Sequence, residues 1–259
     1  MSKLDSRAHL KNEIRLHEKL SKEYKERYRY KFSIIFQDFW NRKIIDEISN
    51  SSSTNVLDFG CGNGILIKDL TQKFNFVVGL DVSFDMVKNI RSKFNRKIKI
   101  VVGDGLNLPF VPETFDAVVC RGSLHHLSSL PQALIEIRRC LKKNGILVFS
   151  EPSNDSLLVR MARNLMYKSS DKFNETDVAF RKKEIIKAVK DAQFSIENMQ
   201  RFGFIAYTLS GFPDHLPVLK YIPFNVHLTK GLILIDRLCA RLPLIKNLSL
   251  HLIAKAKKQ

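Results

Sequence analysis

The segment Val56-Leu57-Asp58-Phe59-Gly60-Cys61-Gly62-Asn63-Gly64 constrains the fold more than any other stretch of this chain. An apolar run reaches an acidic residue and then three glycines at alternate positions. Glycine lets a backbone turn tightly and approach a ligand with no Cβ in the way. A second apolar run, Phe76-Val77-Val78-Gly79-Leu80, leads into Asp81, about twenty residues after the turn. A carboxylate at that place can accept both hydrogens of a ribose diol. The arrangement is that of a nucleoside pocket at the carboxyl edge of a parallel sheet.

The surrounding pattern supports such a sheet. From Asn55 onward, apolar runs alternate with amphipathic stretches at βαβ spacing. Strands are expected at 55–59, 76–80, 98–102, 115–119 and 145–150, with helices at 64–73, 84–94 and 131–143. Asn144-Gly145 reads as a helix C-terminus running straight into a strand. Runs such as Ala117-Val118-Val119 and Ile146-Leu147-Val148-Phe149 are apolar throughout, as strands covered on both faces require. Ahead of this core, a helix is expected from Arg7 to about Tyr30, carrying Leu10, Ile14, His17, Tyr24 and Tyr28 on one face. A second, aromatic-rich helix covers Phe32 to Ile48, and polar residues 50–54 link it to the core. After Glu151-Pro152 come a short amphipathic piece within 153–180, a helix at 181–192 and a strand at 194–202. Residues 203–247 are rich in aliphatic, aromatic and proline residues, and a last strand is expected from Leu248 to Lys255.

Composition narrows the class. Hydrophobic residues at 44% and charged residues at 27% fit a folded globular protein and argue against a disordered one. Cys61, Cys120, Cys140 and Cys239 are scattered without a Cys-x-x-Cys pair, which argues against both a zinc site and a disulfide framework and fits a reducing, cytoplasmic setting; no metal is expected. The start, Met1-Ser2-Lys3-Leu4-Asp5, is too polar for a secretory signal, and no window reaches the ~18 uncharged apolar residues of a spanning helix. The net charge of +17 leaves three readings open: a generally lysine-rich surface, peripheral contact with an anionic membrane, or nucleic-acid binding, which ranks last.

The glycine spacing bears on the ligand. A dinucleotide site wants Gly-x-Gly-x-x-Gly at a helix N-terminus facing a pyrophosphate. Here the spacing is Gly-x-Gly-x-Gly behind Asp58, an anion that would repel a pyrophosphate and attract a sulfonium or an α-ammonium. No Gly-Lys-Ser/Thr follows, which excludes a P-loop. Asp58 through Gly64 resembles the first motif of class I S-adenosylmethionine-dependent methyltransferases, and further segments agree in order. Gly79-Leu80-Asp81-Val82-Ser83 resembles the second-strand acidic motif of that family. Gly103-Asp104-Gly105-Leu106-Asn107-Leu108-Pro109-Phe110 resembles its third-strand segment. Phe115 to Val119 resembles the fourth strand, and Leu141 to Leu147 the turn into the fifth. The resemblance covers roughly residues 50–151 and is to type-11 domains, similar to those of quinone-biosynthesis and other small-molecule methyltransferases.

The resemblance implies a Rossmann-like three-layer α/β sandwich with a mostly parallel seven-stranded sheet. Residues 1–50 would form an N-terminal helical lid, and 51–259 the methyltransferase domain with an apolar insertion at 203–247. It also implies S-adenosyl-L-methionine as cofactor. Asp58, Gly60, Cys61 and Gly62 would lie along its methionine and ribose parts. Asp81 and Val82 would meet the ribose, Asp104, Gly105 and Leu106 the adenine, and Arg121 the methionine end. Asp81 reads alternatively as a helix cap, and Asp104 as a turn former.

Candidates for a general base are His125 and His126, just after the fourth strand, and Glu151, at the end of the fifth. Each has a plainer reading, as a loop cap or packing residue for the histidines and as an ion pair for the glutamate. Cys120-Arg121-Gly122-Ser123 replaces the Asp/Asn-Pro-Pro-aromatic motif of exocyclic base methylation, and no Pro-Cys accompanies Cys120. A small-molecule or lipid-like acceptor is the expectation. A non-catalytic binding module at a membrane and an RNA methyltransferase are the alternatives. The 203–247 segment would line the acceptor pocket, rest on a membrane, or add a core layer or dimer contact; the oligomeric state stays open.

Overall fold

The computed structural model describes residues 11–15, 18, 28–48, 55–88, 90, 98–161, 179–213 and 216–259. Its centre is one seven-stranded sheet, β1 (Asn55–Phe59), β2 (Phe76–Asp81), β3 (Ile98–Val102), β4 (Phe115–Arg121), β5 (Leu141–Pro152), β6 (Phe194–Phe202) and β7 (His251–Lys258), in the order β3-β2-β1-β4-β5-β7-β6. Strands β1 to β5 pair in parallel, while β7 runs antiparallel to both β5 and β6. The sheet is therefore mostly parallel, with one reversed strand inside it. Strand order turns back between β1 and β4, and open α/β sheets bind ligands at such a switch point.

The helices are α1 (Lys31–Ile48), α2 (Ile67–Lys73), α3 (Phe84–Val87), α4 (Leu130–Cys140), α5 (Lys182–Asp191), α6 (Ile205–Ser210) and α7 (Asn225–Cys239). They cover both sheet faces. Val56, Val77, Ala117, Val119 and Val148 pack with α1, α2 and α7 on one side. Leu57, Val78, Val118, Leu147 and Phe149 pack with α4 and α5 on the other. Alternate residues of each strand enter opposite clusters, so strands buried on two faces become continuous apolar runs.

Helix α1 is a layer of this core. Phe36, Phe39 and Trp40 meet Phe202 of β6, and Phe36 and Trp40 also meet Tyr207 of α6, at centroid separations of 5.4–6.1 Å. Trp40 also donates its indole N–H to Ser150 Oγ at 2.9 Å. Residues 11–15 are helical, but Tyr28 lies in the turn before α1; most of the expected first helix, with His17 and Tyr24, falls outside the described residues.

Three expectations are corrected. Asn144-Gly145 does not end a helix. Helix α4 stops at Cys140 because Leu141, fully buried, already pairs with Phe115, and register then jumps to Ala117–Ile146. Asn144, at φ 62°, marks that irregularity within β5. The last strand begins at His251 and not Leu248, since Ile245–Leu248 forms a 3-10 turn. The expected helix at 64–73 begins only at Ile67, after a turn. Of that expected at 84–94, the described part is α3; residues 89 and 91–97 lie outside the described residues, as do the linker 50–54 and residues 162–178.

The 203–247 segment divides in two. Phe204 is buried, and Tyr207 and Phe212 pack against the core. Tyr221 and Phe224 are exposed. Asp236 on α7 is buried and accepts from the amides of Phe204 (2.9 Å) and Ala206 (3.0 Å), capping the start of α6. No described helix is long and apolar enough to cross a membrane.

Candidate active site

The carboxyl ends of β1, β2, β3, β4 and β5 lie side by side, and the sequence-predicted site residues fall on them. Asp58 is at the end of β1, Asp81 ends β2, Asp104 follows β3, Arg121 ends β4 and Glu151 is near the end of β5. The glycine turn folds over this edge. Gly60 N–H and Cys61 N–H both donate to Leu80 O, at 2.8 and 2.9 Å, and Gly62 N–H donates to Asp81 Oδ2 at 2.8 Å. Gly60 needs its residue type twice over. Its φ is +71°, and a Cβ there would stand 2.4 Å from Ser123 Cβ. Ser123 in turn donates its hydroxyl to Phe59 O at 2.8 Å, so β1 and the loop after β4 are in direct contact.

Asp58 is the exceptional group. Its carboxylate is 1% exposed, and among the described residues Oδ2 has no hydrogen-bond partner. Burial pushes its pKa up to about 7, the Arg121 charge opposing and the Asp81 charge adding to the rise. A buried acceptor left open is costly within the protein, and a cationic or N–H-bearing ligand would satisfy it.

Residues 57–149 match the family described as Methyltransferase domain. Residues 57–149 thus form a methyltransferase domain. An uncharacterized protein of Methanocaldococcus jannaschii is 38% identical over 136 residues, covering 52% of this chain and 49% of that protein. The demethylmenaquinone methyltransferase of Corynebacterium kroppenstedtii is 33% identical over 112 residues, 43% of this chain and 48% of its own length. The chain thus spans about half the length of the curated relatives it matches. A SAM-dependent methyltransferase from Thermotoga maritima shares the fold, with a TM-score of 0.63 at 17% identity, over 95% of this chain and 99% of that one.

Within the methyltransferase domain the other acidic residues are already engaged. Asp81 accepts from Gly62 on one oxygen and from the Ser83 amide (2.9 Å) on the other, joining the glycine turn to the start of α3. Each carboxylate oxygen has a second lone pair for a diol. Asp104 accepts from Leu106 N–H at 2.9 Å and from the Asn107 side chain at 3.2 Å, which is the turn-forming arrangement. Gly105 is closed in, since a Cβ on it would meet the Phe59 ring at 2.4 Å. Cys61 and Cys120 are buried and burial raises both thiols well above their usual range, so neither is a nucleophile. Val82 follows Asp81 at the same edge, half-buried.

The acceptor-side candidates form one assembly. Glu151 is fully buried and accepts from the amides of Ser123 (3.0 Å), Leu124 (2.9 Å) and His125 (3.4 Å). Its Oε2 also meets His125 Nδ1 at 2.8 Å. Burial raises the Glu151 pKa to about 7, opposed by the Leu124 and Ser123 amides. These contacts shape the 3-10 turn Leu124–His126 and fix the His125 ring, which lies 4.0 Å, centroid to centroid, from that of His126. Glu151 is thereby held beneath the turn, where it positions His125.

Three contributors escaped sequence reasoning. Glu13, from the N-terminal helical residues, is buried with Oε2 3.3 Å from His126 Nδ1. Gln37 and Trp40 on α1 hold Arg121: its guanidinium carbon is 4.1 Å from the Trp40 ring centroid, and it donates to Gln37 Oε1. Each contact joins residues far apart in sequence, and no local motif announces them.

Proposed function

We propose that this chain is an S-adenosyl-L-methionine-dependent methyltransferase acting on a small-molecule or lipid-like acceptor. The observation that carries the reading is the buried, unpartnered Oδ2 of Asp58 beside a glycine turn at the switch point of the sheet. The donor set suits that cofactor. Asp58 offers an anion to the ammonium and sulfonium end, and Asp81 retains lone pairs for the ribose hydroxyls. Gly60, Cys61 and Gly62 supply backbone with no bulky side chain in the way. Val82 stands beside Asp81 at the ribose, Asp104, Gly105 and Leu106 flank the adenine end, and Arg121 is anchored over Trp40 at the methionine end. When bound, the cofactor supplies a methyl group on a sulfonium, a strong leaving group.

The chain's own residues would then place the acceptor in line and keep water out. His125, with Nδ1 held by Glu151, presents Nε2 as its basic nitrogen and can take a proton from an acidic acceptor hydroxyl or enol. His126, paired with Glu13, lies next to it against the N-terminal helical residues 11–15, which we assign to a lid ahead of α1. The relative named for demethylmenaquinone supports the lipid-like end of the acceptor range.

Isothermal titration with S-adenosylmethionine and S-adenosylhomocysteine tests the donor half. Micromolar binding that Asp81→Ala weakens is expected, and no binding to either compound sinks the reading. Incubation with methyl-labelled donor and a fractionated cell extract tests the acceptor: label should enter the organic phase, whereas label in the nucleic-acid fraction would replace the acceptor class.

A further inference from the structure

Helix α7 is apolar on two opposite sides. Leu232 and Ile233 point into the core with Thr229 and Asp236, all four buried. Leu228, Leu234, Ile235 and Leu238 are exposed, Leu234 by 58% and Leu238 by 52%. At 3.6 residues per turn the exposed set lies across the helix axis from the buried one. A helix resting on a globular core normally turns a polar face outward. This one turns out leucine and isoleucine, and the segments at both its ends do the same. Tyr221 is 76% and Phe224 81% exposed before it, and Leu244 is 89% exposed after it, with Leu242, Ile245 and Leu248 alongside. Single exposed apolar residues are ordinary, but a run of this length marks an interaction surface.

The charges on the segment say what it meets. Residues 216–248 carry Lys220, Lys230, Arg237, Arg241 and Lys246, and their single carboxylate, Asp236, is buried on the amides of α6. The outward charge is thus of one sign. A second copy of the chain, related by a two-fold axis, would set this cationic surface against itself. A surface of anionic phospholipid answers both features: hydrocarbon for the leucines and phosphate for the lysines and arginines. The net charge of +17 acts in the same direction at longer range.

We propose that α7 and the turns flanking it seat the protein on an anionic membrane. The helix lies in the plane of the headgroups, over a length of about 22 Å for its 15 residues. Leu228, Leu234, Ile235 and Leu238 enter the acyl boundary. Tyr221 and Phe224 sit at headgroup level, where aromatic rings gather, and the basic side chains extend to the phosphates. This inference rests on surface chemistry alone and is independent of the donor site.

The test is co-sedimentation of the full chain with vesicles of about one third phosphatidylglycerol in phosphatidylcholine, and with phosphatidylcholine alone. Binding to the anionic vesicles, weakened by salt and at least tenfold above that to the neutral ones, is expected. The double variant Leu234→Gln/Leu238→Gln should partition roughly tenfold less. Lys230→Gln/Arg241→Gln should lose on the order of tenfold through the charge contribution. Both variants should melt as the parent does and bind S-adenosylhomocysteine with unchanged affinity, so a failure here is distinct from a failure of the donor site. Absence of vesicle binding, or equal binding to neutral vesicles, overturns the proposal. So does a concentration-dependent dimer in sedimentation equilibrium that Leu234→Gln abolishes, since the face would then belong to a second copy.

Discussion

The donor edge of the sheet and the helical segment 205–248 handle polar and apolar groups in opposite ways. At the donor edge, charged groups are buried and the apolar residues of β1, β2 and β4 are hidden on both faces of the sheet. In the helical segment the Asp236 carboxylate is spent on capping α6, and large apolar side chains face outward. The contrast separates two kinds of function. A site built for a small charged ligand places unsatisfied polarity inside, where a low dielectric strengthens it. A surface built for an extended partner leaves apolar area outside, where burial on contact supplies the driving force.

Within the donor edge the contrast is sharpest between two carboxylates with similar proton affinity. Glu151 is fully committed to the turn at 123–126, so Glu151→Ala would leave two buried amides and one half-buried amide without their acceptor. It should lower folding stability by about 3–5 kcal/mol, read in urea unfolding. Asp58 has an oxygen to spare, so Asp58→Ala should weaken donor binding by roughly 100-fold, about 2.7 kcal/mol, by isothermal titration, and cost far less stability than Glu151→Ala. If the two variants exchanged phenotypes, their assigned roles would be reversed. Gly60→Ala combines a left-handed φ with a 2.4 Å clash and should cost about 2–4 kcal/mol, again by urea unfolding.

Proton linkage gives a smaller and signed effect. The folded pKa values of Asp58 and Glu151, both about 7, lie above the ordinary 3.8 and 4.5. The folded state therefore binds protons more tightly than the unfolded state, and each group's stabilising contribution is present at acid pH and lost as pH rises toward 7. The loss approaches ~1.4 kcal/mol per pH unit per group between those limits. A cationic donor favours ionised Asp58, so its affinity should rise from pH 6 to pH 8 and flatten above that. Titration across that range checks it, and Asp58→Asn should remove the slope. The smallest effect is that of Leu234→Ala on the outer face of α7, within about 0.5 kcal/mol by thermal melting, against about 2–4 kcal/mol for its buried neighbour in Ile233→Ala. Equal losses would mean that the outer face is packed.

The donor edge was legible because its physics is local. Strands buried on two faces have to be apolar runs, the turn that follows β1 has to be glycine-rich, and Asp81 has to end the next strand. Those requirements fall on contiguous residues. The acceptor side depends on encounters that no local pattern encodes: Glu13 with His126, Trp40 and Gln37 with Arg121, Glu151 with the turn before it in sequence. The 203–247 segment was recognisable as apolar, yet composition does not tell Leu232-Ile233 from Leu234-Ile235. Only the rotation of α7 against α1 and α6 decides which pair is hidden. Asn144-Gly145 misled for a related reason, since a left-handed residue can interrupt a strand as readily as it ends a helix.

The position of β7 has a consequence for how the protein comes to be made. This strand is the seventh in sequence but sits inside the sheet, bridging β5 to β6. While a ribosome is still making the helical segment, β5 offers an unpaired edge and β6 has nothing to hold it in register. Partners some hundred residues apart must then find each other late, a slow step for a nascent chain. During that interval the leucines of α7 are exposed together with an open strand edge, a combination that invites aggregation or chaperone capture. A message truncated just before His251 would therefore yield a chain that collects on chaperones or in inclusion bodies, even though its glycine turn is intact.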